Sequence, residues 1–65
     1  MYAIIQFSMS MKRTVKTGFE TLEAAMAYAR INFDILHSTD DEEHDAADFI
    51  THGMEVYAVQ KESGN

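Results

Sequence analysis

Sixty-five residues with 46% hydrophobic and 25% charged content suit one small folded domain, expected over residues 1–61, with residues 62–65 as a disordered polar tail. The absence of cysteine excludes disulfide staples, thiolate catalysis and Cys-ligated metal centres, and no apolar run approaches the roughly 20 residues of a membrane span. The net charge of −6 is unevenly placed: residues 1–33 carry four bases against two acids, net +2, and residues 34–65 carry nine acids against Lys61, net −8.

Residues 2–9 read as a first strand, with Ala3, Ile5, Phe7 and Met9 alternating onto one face and Tyr2, Ile4, Gln6 and Ser8 onto the other. Residues 10–12 lack the Asn-Gly or Asp-Gly of a tight hairpin and are expected to form a looser reversal. The neighbouring Met9-Ser10-Met11-Lys12-Arg13 is basic enough to touch phosphate or an acidic partner, although a solvated loop tip explains it as well. Residues 13–19 return as a second strand with Val15, Thr17 and Phe19 inward. Lys16 and Gly18 on its other face suit an edge.

Thr21 is the expected N-cap of a helix running to about Leu36, with Glu23 near the positive end of its dipole. Spaced at about 100° per residue, its side chains form two apolar arcs. Leu22, Ala25, Met26, Ala29, Phe33 and Leu36 make one. Ala24, Tyr28, Ile31 and Ile35 make the other, on nearly the opposite side. The first arc covers the sheet; the second needs a different partner.

A second, acidic helix is expected from about Asp40 to His52. Thr39 and Glu42 match a capping box, and Gly53 supplies a left-handed stop. A rival reading makes residues 49–59 a hairpin turning at His52-Gly53, because short apolar runs suit helix and strand alike. Residues 54–60 form the last strand. The predicted fold is α+β, a small β-β-α-α-β domain. Its three-stranded antiparallel sheet, in order 2-1-3, is packed by one long helix and one short acidic helix. Tyr2, Ile4, Tyr57 and Val59 would then line a second sheet face that nothing covers.

The chemistry is dominated by Asp40, Asp41, Glu42, Glu43, Asp45 and Asp48, six acids in nine residues with no base among them. Such a run repels nucleic-acid phosphate and attracts basic surfaces, so direct nucleic-acid binding is not expected. On a helix, Asp41, His44, Asp48 and His52 would share one face, the spacing of a divalent-metal site. A solvated acidic face explains the same pattern, and no metal is assigned. No nucleophile elbow, P-loop or dinucleotide glycine pattern occurs, so neither enzymatic activity nor a cofactor is expected.

The functional expectation is a small cytoplasmic, non-enzymatic regulator or inhibitor that occupies a basic site on a partner protein stoichiometrically, with no membrane role. Its six acids would steer association, and Tyr28, Ile31, Ile35 and Phe49 would be the apolar anchors. Size and charge also fit a phage- or mobile-element-encoded protein, and regularly spaced carboxylates fit a nucleic-acid mimic. The alternative is a structural homodimer that buries the second helix arc or the second sheet face across a two-fold axis.

Overall fold

The computed structural model describes residues 1–62; residues 63–65, the greater part of the expected tail, lie outside the described residues. The elements run β1 (Tyr2–Ser8), β2 (Met11–Phe19), α1 (Leu22–Asn32), β3 (Ile35–Asp41), a single 3-10 turn (Glu42–His44), β4 (Ala46–Thr51) and β5 (Val56–Lys61). All strand pairs are antiparallel, in the order β2-β1-β5-β4-β3. This five-stranded sheet with one helix replaces the three-stranded, two-helix arrangement expected from the sequence. The last strand lies beside the first, and β4 and β3 continue the sheet beyond it.

The expected acidic helix is overturned by a period of two. Along Ala46–Thr51, Ala47, Phe49 and Thr51 are buried while Ala46, Asp48 and Ile50 are more exposed. A helix through the same residues would bury only a short arc; a strand buries a whole face. The hairpin reading of residues 49–59 is the one the structure follows. Its turn is pinned by Thr51, whose Oγ1 accepts from Glu55 N at 3.1 Å and whose carbonyl accepts from Met54 N at 2.8 Å. Of the capping signal, only one turn survives: Asp41 caps it by accepting from His44 N at 3.3 Å, and Asp45 ends it with φ 54°.

Thr21 does cap α1, its hydroxyl accepting from Ala24 N at 3.0 Å. The helix stops at Asn32 rather than Leu36, because Phe33 swings into extended backbone at φ −124° and ψ 147°. Ile35 and Leu36 therefore belong to β3, and the second apolar arc dissolves. Tyr28 packs on Phe19 with ring centroids 5.3 Å apart and Ile35 is half-buried in strand; Ala24 and Ile31 are exposed, Ile31 at 83%.

The faces of the sheet are also the reverse of the expectation. Ile4, Val59 and Ala47 stand side by side across β1, β5 and β4, and Tyr57 stands beside Phe49. All are buried beneath Ala25, Met26 and Ala29 of α1. Tyr2, Ile4, Tyr57 and Val59 thus lie under the helix, and Ala3, Ile5 and Phe7 point away from it. Two irregularities in the β1–β2 register shift the phase of β2 as well, one of them beside Gly18 at φ 89°. Lys16 consequently joins Phe19 on the helix side, its Nζ 5.6 Å from the Tyr28 ring, and Val15 is left exposed. Glu62 ties the end of β5 to the residue before β1 and to β2: its N–H donates to Met1 O at 2.9 Å and its carboxylate accepts from Gly18 N at 2.9 Å.

Phe49 is 2% exposed, stacked on Tyr57 at 4.9 Å and tilted against Phe33 at 5.5 Å. Phe49→Ala should cost about 3–5 kcal/mol, enough to unfold much of a domain this small. Ile31→Ala should stay within about 0.5 kcal/mol of the parent. Urea unfolding followed by far-UV circular dichroism separates the two outcomes.

Candidate functional site

The β3–β4 hairpin gathers most of the acidic run at one end of the molecule. Asp40 and Asp41 close β3, Glu42 and Glu43 form the 3-10 turn, and Asp45 follows in the left-handed region that aspartate tolerates better than most residues. Asp41 accepts from the turn and lies 2.8 Å from His44 Nδ1; these bonds, chiefly the one to the imidazole, hold its carboxyl below the ordinary aspartate value. Asp45 ties the hairpin to the rest of the sheet. Its carboxylate accepts the Tyr2 hydroxyl and lies 3.7 Å from Lys61 Nζ.

Between this hairpin and the start of α1 lies an open cleft of about 710 Å³. Glu20 and Glu23 flank the helix cap on one side, and Asp40, Glu42 and Asp45 face them from the hairpin. Arg30 is the single base among the lining residues, so five carboxylates meet one guanidinium. Leu22, Met26 and Ala46 give the cleft an apolar floor. That combination suits a lysine or arginine side chain: the methylene stem lies on the floor while the head reaches carboxylates, bidentately in the case of a guanidinium.

The remaining expected site residues do not converge there. Asp48 pairs with Ala58 and Thr39, on the sheet face turned away from the helix. Tyr28 is half-buried against Phe19, Ile35 is half-buried in β3 and Phe49 is in the core; Ile31 is exposed on the outer side of α1. The metal-like spacing of Asp41, His44, Asp48 and His52 is scattered because the segment is hairpin and strand. His52 sits in the turn at the far end of β4, 3.2 Å from Asp34. Among the described residues, no group of three or more His, Cys, Asp or Glu is placed to hold a metal ion, and no helix is long and apolar enough to cross a membrane.

Sequence reasoning missed Tyr2, Glu20, Glu23 and Arg30 as neighbours of the acidic run. Glu20 and Glu23 bracket Thr21, and that proximity to a helix start was the one local signal of acidity there. Compared with known proteins, the chain matches no family model, no curated protein and no solved structure.

The bond to Asp45 is the first cause, ahead of desolvation and the carboxylate's charge, that raises the Tyr2 phenol above its ordinary value of 10.0. A folded-state value above the unfolded one means that the neutral phenol is favoured by folding. Its contribution is complete below about pH 10 and is lost as pH rises through the folded value. Asp45→Asn should therefore move the Tyr2 titration back down, read as tyrosinate absorbance, with Tyr2→Phe identifying the band.

Proposed function

We propose that this protein is a non-enzymatic binding module that engages a basic site on a partner protein stoichiometrically, through the acidic hairpin and the cleft beside it. The observation that carries this reading is the convergence of five carboxylates from two separate stretches of chain, 20–23 and 40–45, on one cleft with an apolar floor. Carboxylates crowded in this way raise the local potential for a cation and speed its encounter. They add little to folding, since exposed ion pairs are worth about 0–1 kcal/mol. Their clustering is therefore better explained by binding than by stability.

The anchors of this reading differ from those first expected. Phe49 is committed to the core, and the apolar contribution comes from the half-buried Leu22 and Ala46 beside the carboxylates. Asp41, Glu42 and Glu43 at the hairpin tip extend the anionic surface, and the exposed Ile31 lies outside the cleft.

The test replaces Glu20, Glu23, Asp40 and Glu42 by their amides. Circular dichroism should show an intact fold, because these exposed side chains contribute little to stability. A basic partner captured by the parent at low salt should be retained by the variant at about a tenth or less, and should weaken for the parent as salt rises. Equal retention by parent and variant would overturn the reading. Release of the captured partner by competing DNA or RNA would mark the cleft as a phosphate mimic.

A further inference from the structure

The face of the sheet opposite α1 carries two cross-strand rows. One runs Lys12, Phe7, Val56, Ile50 and His37 from β2 to β3; the next runs Thr14, Ile5, Ala58, Asp48 and Thr39. Each row is polar at its ends and apolar at its centre. Phe7 and Val56 are 41% and 44% exposed, and no element among the described residues lies over them. A shallow trough of about 560 Å³ continues the same face along Ala3, Ile5 and Gln60. An apolar centre within a polar rim is the anatomy of a homodimer interface.

We infer that this open face pairs with the same face of a second copy, about a two-fold axis running parallel to the strands above β5. The charges select both the occupant and the axis. Lys12 lies on β2 at one side of the face, and Asp48 lies on β4 towards the other. An axis parallel to the strands sets β2 of one copy over β3 of the other and β1 over β4. Each Lys12 then lies over the other copy's His37, and its long flexible stem reaches diagonally, across one strand and one row, to the other copy's Asp48. An axis across the strands would instead set β4 over β4 and bring the two Asp48 carboxylates together. The first arrangement attracts and the second repels.

The area is sufficient for a modest dimer. Five strands at about 4.8 Å spacing and about 20 Å length project roughly 500 Å². Side-chain relief raises this towards the ~800 Å² per partner of a standard interface. At the same end of the sheet, the exposed Met9 and Met11 of the β1–β2 hairpin and Met54 of the β4–β5 turn add flexible apolar contact. The surface is independent of the acidic cleft, which opens on the helix side.

Sedimentation equilibrium over about a hundredfold range of concentration should show a monomer–dimer equilibrium with Kd in the micromolar range. Val56→Lys should raise Kd by about tenfold or more, while Ile31→Lys on the outer side of α1 should leave it unchanged. Lys12→Glu should also weaken the dimer, and adding Asp48→Lys to it should restore the affinity. A strict monomer across the range overturns the inference. So does a dimer indifferent to Val56→Lys in a variant shown to be folded. Should Val56→Lys fail to fold, the exposed Lys12 and Asp48 pair decides alone: failure of the double exchange to restore affinity refutes the pairing.

Discussion

The stack of Tyr57 on Phe49, closed by Phe33 over both rings, fixes the sheet to the helix and the two hairpins to each other. Centroid separations of 4.7 to 5.5 Å place all three rings at aromatic-pair distance, and only Phe33 is not a strand residue. Phe33 is also the residue at which α1 gives way to extended chain. One residue therefore closes the helix through its backbone N–H to Ala29 O and packs its ring on the core, two positions before β3 begins. The buried face of the helix is two alanines, Ala25 and Ala29, and Met26, packed in one cluster with Ile4, Val59 and Ala47.

The local elements were largely legible because their signals were local. Alternation marked β1, Thr21 marked the helix start, and Val56 to Gln60 carried the β-branched and aromatic pattern of a strand. What misled was the stretch from Thr39 to Thr51. Thr39 with Glu42 is a good helix-start signal, and the acids after it suit a helix dipole, yet both features serve a tight hairpin equally well. The alternation of Ala47, Phe49 and Thr51 against Ala46, Asp48 and Ile50 was present, but two alanines blurred it. Once that segment is a strand, the sheet has room for β3, and Ile35 and Leu36 are drawn off the helix. The reversal of faces follows from the same change: a wider sheet presents Phe49 beside Tyr57, and the helix settles on the aromatic side.

The candidate site shows what a chain of this length can and cannot disclose before it folds. Asp40 to Asp45 are adjacent in sequence, so their shared surface was evident. The carboxylates that face them come from the approach to α1, and Tyr2 reaches Asp45 across 43 positions. No periodicity encodes that approach, because it depends on the order of strands. The docking surface expected on the helix is absent for a similar reason: Ile35 belongs to β3, Tyr28 packs on Phe19 of β2, and the uncovered apolar area lies on the opposite side of the sheet.

The middle of the sheet is occupied by the strand that a ribosome would deliver last of the five. β5 pairs Ile4 with Val59 on one flank and Phe49 with Tyr57 on the other, so before its synthesis β1–β2 and β3–β4 are two detached ribbons. Isolated two-stranded ribbons are at best marginal in water. Completion of the sheet therefore waits for β5, whose pairing with β1 closes a large sequence separation, a feature that slows folding. Until β5 slots in, the flanks of β1 and β4 offer unpaired backbone to other chains.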